Sequence, residues 1–140
     1  MKIKNRVIAF LLFSFLAGTI ITSCKKYEDG PALSLATKKS RITGDWKIEN
    51  ITYDGEDVTA FYLLFLGNGV FISINKDQSY MIETDKGTWS FSGDKESLIL
   101  DPEDAKDETT VHKILRLTKK ELWLQDTDAD NKITVMKLRQ

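Results

Sequence analysis

From Gly44 to the end of the chain, apolar residues recur at every second position in short runs. Trp46 and Ile48 alternate with Lys47 and Glu49. Val70, Ile72 and Ile74 alternate with Phe71, Ser73 and Asn75. Tyr80 and Ile82 alternate with Met81 and Glu83, and Trp89 and Phe91 with Thr88, Ser90 and Ser92. Leu98 and Leu100 bracket Ile99; Val111, Leu115 and Leu117 share one parity, on which Lys113 also falls. Leu122 and Leu124 bracket Trp123, and Ile133 and Val135 alternate with Thr134 and Met136. A period of two is the signature of a strand with one buried face, so these runs predict eight strands. Turn-forming residues separate them, among them Asp54-Gly55, Asp85-Lys86-Gly87, Ser92-Gly93-Asp94 and Asp128-Ala129-Asp130-Asn131. Such short spacing predicts antiparallel hairpins in a meander. Closing the sheet into a barrel removes the two exposed edges that an open meander would keep. The expected fold is therefore all-β, an antiparallel meander of about eight strands closed into a barrel.

One segment departs from the alternation. Val58 to Leu66 is apolar on every side, with Asp57 placed to cap a helix start and Gly67 to end it. A short helix near residues 57–66 is preferred over a strand, and it is expected to plug one end of the barrel. Its functional alternatives are a lid or a surface for docking a partner.

The N-terminus has a different grammar. Lys2, Lys4 and Arg6 precede an apolar run from Val7 to Ile20, and Ile21-Thr22-Ser23-Cys24 follows. A basic start, a short apolar stretch and a small residue before the cut are what a secretory signal needs. The stretch is shorter than the roughly 20 residues of a comfortable transmembrane helix. Ile21-Thr22-Ser23-Cys24 resembles the lipobox of bacterial lipoproteins. The resemblance implies cleavage before Cys24, the chain's single cysteine, and attachment of lipid to its thiol. The organisation expected is a signal peptide at 1–23, a lipidated N-terminus and tether at 24–40, and a barrel domain at 41–140. Several acyl chains hold a protein to a membrane far better than one, because each buried methylene contributes about 0.8 kcal/mol. The address implied is the cell envelope, as an outer-membrane lipoprotein, with Lys25 after the cysteine where an aspartate would signal inner-membrane retention. The leaflet is left open.

Removing the signal leaves 17 basic and 21 acidic residues in a 117-residue chain, a formal charge of −4. Nucleic acid is an unsuitable partner, since its binding rests mainly on neutralising phosphates. About 100 residues after the tether suit one domain with one core.

Two strands carry a shared motif. Thr43-Gly44-Asp45-Trp46 opens the first strand, and Gly-x-Trp at that place resembles the lipocalin signature. Gly87-Thr88-Trp89-Ser90-Phe91 resembles the mid-domain Gly-x-Trp strand of compact lipocalin-like lipoproteins of Gram-negative bacteria. Leu117-Thr118-Lys119-Lys120-Glu121-Leu122-Trp123-Leu124 resembles their penultimate hairpin. The resemblance spans about Arg41 to Gln140 and implies a lipocalin-like barrel. It further implies that Trp46 closes the barrel base, with Arg139 or Lys137 stacked across it.

Catalytic chemistry is sparse. His112 is the single histidine; it faces away from the apolar parity of its run and reads as a surface residue, with no partner for a zinc site. Asp126, Asp128 and Asp130 have calcium-loop spacing, yet Asn131 stands where that loop needs glycine and Lys137 where it needs glutamate. They read as a polar turn. The acidic stretch from Asp101 to Glu108 reads as a solvated loop. No enzyme activity, cofactor or metal is expected.

Strand parity places Trp46, Ile48, Ile72, Ile82, Trp89, Phe91, Val111, Leu122 and Val135 inside the barrel, as candidate ligand-binding positions. Two functions follow from that placement. A cavity would make the chain a carrier for a small hydrophobic molecule at the membrane. A filled barrel would make it a non-catalytic interaction or assembly subunit, with an exposed apolar patch as its mark.

Overall fold

A computed structural model describes residues 36–140. Cys24 and the expected signal and most of the tether lie outside the described residues. The described chain opens on helix α1 (Lys38–Ile42), which straddles the expected tether–domain boundary. Strand β1 (Gly44–Tyr53), the two-residue β2 (Glu56–Asp57) and helix α2 (Thr59–Leu66) follow. Seven more strands complete the chain: β3 (Ile72–Ile74), β4 (Ser79–Ile82), β5 (Asp85–Phe91), β6 (Ser97–Pro102), β7 (Thr110–Leu117), β8 (Glu121–Thr127) and β9 (Ile133–Arg139). Each strand pairs antiparallel with the next, and β9 returns to pair with β1 from Lys47↔Arg139 to Tyr53↔Thr134. Eight strands thus close into a barrel, with β2 as a short flap on β1.

Inward residues meet across the ladders. Trp46 faces Ile72, Tyr80 faces Gly87, Trp89 faces Leu100, and Leu122 faces Leu138. Ile42, Trp46, Ile51, Leu98, Leu117, Leu122 and Leu138 are wholly buried. Among the described residues the buried core lies between Ile42 and Leu138, and the closing ladder between Lys47 and Arg139. Residues 36–140 thus hold the closed ladder together with the core it encloses.

Two bulges reset the alternation. In β1 the register slips between Ile48 and Asn50, in β7 between Ile114 and Arg116. A bulge puts one extra residue on one strand, so the inward parity changes across it. In β1 the inward set runs Trp46, Ile48 and then Ile51. In β7 it runs His112, Ile114 and then Leu117, each facing an inward residue of a neighbour.

The end of the barrel where β1 starts, here the base, is sealed by α1. Thr37 caps that helix by accepting from the Ser40 amide. Arg41 Nη1 donates to Leu117 O at 2.9 Å, and Trp46 Nε1 donates to Ile42 O at 2.8 Å. Gly44 adopts φ +145°, open to glycine but strained for other residues, as the chain turns from helix to strand. Gln140 Nε2 reaches back to Thr43 O at 3.1 Å. The stacking implied for the base is therefore not the one present: Lys137 lies 4.4 Å over Trp123 on the outer wall, and Arg139 pairs with Glu49 at 2.6 Å.

Helix α2 forms where the sequence predicts it, but it is not a plug. None of its residues is buried, and Leu64 is 82% exposed, Phe65 73% and Phe61 61%. It is pinned beside β1 because Thr59 Oγ1 accepts from Ile51 N at 2.9 Å. Asp57 holds its start by accepting from Thr59 N at 2.9 Å.

Gly87 shows why glycine begins the second Gly-x-Trp strand. A Cβ there would collide with the Asp101 carbonyl and lie 2.6 Å from Tyr80 Cε1. Gly87→Ala should cost about 1–3 kcal/mol through overpacking, each kcal/mol lowering the melting temperature by roughly 4–8 °C. Gly93→Ala, with open space at its Cβ, serves as the unchanged control in thermal unfolding followed by circular dichroism.

Three exposed carboxylates order turns by accepting hydrogen bonds, which lowers their pKa: Asp57 from the Thr59 hydroxyl and amide, Asp77 from Ser79, Asp128 from the Lys132 amide and then from Tyr53. A depressed folded pKa gives stability that is present above the ordinary carboxylate value, about 3.9, and lost as pH falls through the folded value. Acid titration by NMR should leave the amides of Thr59, Ser79 and Lys132 unshifted down to that value and move them only below it.

Candidate functional site

The barrel encloses a small cavity. Phe71 just before β3, Ile72 at its start, Ile82 at the end of β4, and Leu98 and Leu100 on β6 form one side. Leu122 and Leu124 on β8 and Met136 on β9 form the other. The cavity volume is about 70 Å³, room for roughly two waters at about 30 Å³ each. Typical small-molecule pockets span about 300–1,000 Å³, so this is a narrow slot. A wider hollow of about 620 Å³ over Asn75, Ser79, Lys86, Asp101 and Glu103 opens to solvent; the enclosed apolar space is the slot inside the barrel.

Two polar residues share that apolar lining, His112 on β7 and Asp126 on β8. They stand side by side because the β7–β8 register runs from Lys113↔Gln125, one step away. His112 Nδ1 is 2.7 Å from Asp126 Oδ1, and Nε2 is 2.9 Å from Thr110 Oγ1. A carboxylate can only accept, so Nδ1 carries the proton. In the neutral ring Nε2 is then an acceptor, and the Thr110 hydroxyl donates to it. The result is a chain of hydrogen bonds from Thr110 through His112 to Asp126, at the wall of an otherwise apolar slot.

Of the nine positions placed inside from the sequence, Ile72, Ile82 and Leu122 line the slot. Trp46, Ile48, Trp89 and Phe91 belong to the packed interior beside it. Trp89 and Phe91 meet edge to face with ring centres 5.6 Å apart, and Trp89 Nε1 donates to Asn75 O at 2.8 Å. Trp46 sits at the base, as the lipocalin resemblance implies.

Val111 and Val135 are corrections. Val111 is 60% exposed and faces Ile99 on the outer wall. The bulge at Leu115 shifts parity, so the apolar alternation read backward from Leu117 assigns the wrong face before it. Val135 faces Gln125 and Thr52 on the outside; the inward residues of β9 are Thr134, Met136 and Leu138. β-Branched residues at the exposed end of β9 imitate an inward run. His112 is the matching correction: it points into the barrel. Lys113 on the parity of Val111 was the available signal for it.

The three aspartates of the last turn have separate tasks. Asp126 faces the slot, while Asp128 Oδ1 accepts from the amides of Asp130 and Lys132, both at 2.9 Å. On the outer wall, Trp123 lies between Arg116 and Lys137, with the Arg116 guanidinium 5.4 Å from its ring centre.

The sequence profile of the lipocalin-like domain matches residues 42–124, more than half of the chain. This chain belongs to the lipocalin-like domain family. No curated protein matches it. The family match and the closed eight-stranded barrel agree, and a lipocalin-like barrel is an architecture consistent with holding a small hydrophobic ligand.

Val111→Ser should change stability by no more than about 0.5 kcal/mol, as at other exposed sites. Ile114→Ala, on the same strand but 2% exposed, should lose about 2–5 kcal/mol. Urea unfolding of the two variants tests the parity change directly.

Proposed function

We propose that this chain is a cell-envelope lipoprotein whose lipocalin-like barrel takes up a small hydrophobic ligand. The observation that carries the reading is the apolar slot enclosed among Ile72, Ile82, Leu98, Leu100 and Leu124. Its volume fits a slender group, such as the end of an alkyl chain, rather than a bulky ring. The wall between β1 and β4 has little strand above the base. Strand β3 ladders to β1 only from Gly44 to Trp46, near the base. Above it the chain runs as α2 and residues 67–71, with Phe71 at the slot. The exposed apolar side chains of α2 flank that stretch. The lipobox-like Ile21-Thr22-Ser23-Cys24 supports the membrane anchor, with Cys24 as the lipid attachment site.

A second reading is favoured by the same helix. Phe61, Leu64 and Phe65 make an exposed apolar patch larger than scattered surface residues require. In that reading the barrel is filled and α2 docks a protein at the membrane surface.

Native mass spectrometry of residues 36–140 after exposure to envelope lipid extract separates the two. The carrier reading expects a retained small-molecule mass that Leu100→Phe abolishes by filling the slot, at unchanged melting temperature. A clean apo mass in the unsubstituted barrel would sink it and favour protein docking. For the anchor, Cys24→Ser in the full chain should abolish incorporation of a tagged fatty acid. It should also move the protein out of the membrane fraction.

A further inference from the structure

The slot is apolar except at one place, and the barrel end above that place is strongly acidic. The connections at the mouth, opposite α1, are residues 53–57, 83–86, 101–109 and 126–132. They hold thirteen carboxylates and only three lysines. The base segments 38–47, 75–79, 92–97, 118–121 and 137–140 hold ten basic and five acidic residues. A ligand approaching the slot from the mouth therefore meets negative potential first. Inside, it meets the His112–Asp126 pair. With the imidazole neutral the pair carries one negative charge; with the imidazole protonated it carries none. In neither state does it offer an anion a net positive charge, and Asp126 Oδ1 is already shared with His112 Nδ1 at 2.7 Å.

We infer that the ligand is an alkyl-chain amphiphile whose head group donates hydrogen bonds and is not anionic, an amine or an alcohol, with the head at Asp126 and the chain among Leu98, Leu100, Leu124 and Met136. This deepens the proposed carrier function and rests on it. Its selective content is the exclusion of fatty acids. A carboxylate head brought beside Asp126, whose side chain is 45% exposed, would place like charges together at the slot wall, which costs more than between fully solvated groups. An ammonium or hydroxyl at the same place finds an acceptor. Asp126 is a specificity-determining residue on this account, and His112 is a positioning residue that fixes the carboxylate's orientation from the neighbouring strand.

The test is a 1H–15N NMR titration of residues 36–140 with butylamine, butan-1-ol and butanoate, three probes sharing one chain short enough for the slot. The expected result is saturable shifts at Leu98, Leu100, Leu124 and Met136 with the amine and the alcohol, and at least about tenfold weaker binding of butanoate, equivalent to about 1.4 kcal/mol. Asp126→Asn keeps the shape and can still accept from His112 Nδ1, and it should bring butanoate to within about twofold of the alcohol. Unshifted chemical shifts elsewhere verify that the variant is folded. Equal or preferred binding of butanoate to the unsubstituted barrel would overturn the head-group inference while leaving the carrier function standing. No slot shifts with any of the three probes would overturn both.

Discussion

Everything in this molecule depends on the ladder between its first and last long strands. β1 and β9 pair over most of their length, and with that pairing the sheet has no long free edge. Closure forces the inward residues of eight strands onto one small axis, so the core is a ring of contacts in which each strand braces the next. It also explains the base. Once closed, the barrel needs a cover at one end, and α1 provides it by tying Ile42 and Arg41 to the β1 start and the β7 end. The closing ladder contains a bulge, the slip between Ile48 and Asn50. That extra residue lets β1 bend around the barrel and pair with β3 at its start, β9 beyond and β2 at its tip.

The strands were legible because alternation is a local consequence of burying one face. The eight runs, the turns between them and the helix at Thr59–Leu66 could all be read from single segments. Which way each run faces was less legible, because facing is set by register against a neighbour. Val135 looks inward by its own sequence and is outward by its pairing with Gln125. Val111 shares parity with Leu117 and points the other way, since the slip at Leu115 lies between them. The same slip turned His112 from a surface residue into part of the slot wall. The helix illustrates a related limit. Its uniform apolarity suggested burial, yet strand side chains fill the interior, and Thr59 holds the helix against β1. What occupies the inside of a closed barrel is a collective property of all the strands, and no one segment carries it.

The candidate site combines the two kinds of information. Its apolar lining follows from strand patterns already visible in the chain. Its polar pair is an accident of no single motif: it exists only because two strands, read in register, bring a lone histidine next to the first aspartate of an acidic turn. A family-level likeness to lipocalins supplies the architecture, and the β7–β8 register supplies the polar pair at the slot.

The uneven distribution of charge between the barrel's two ends gives the domain a permanent electric dipole along its axis. Beside a negatively charged surface such a body experiences a torque. There the base, where α1 begins, would turn toward the surface and the acidic rim away from it. Orientation would then need no specific contact at all. It would weaken as salt screens the field over a Debye length of about 10 Å at 0.1 M, which makes the ionic medium a control on the direction in which the barrel presents its opening.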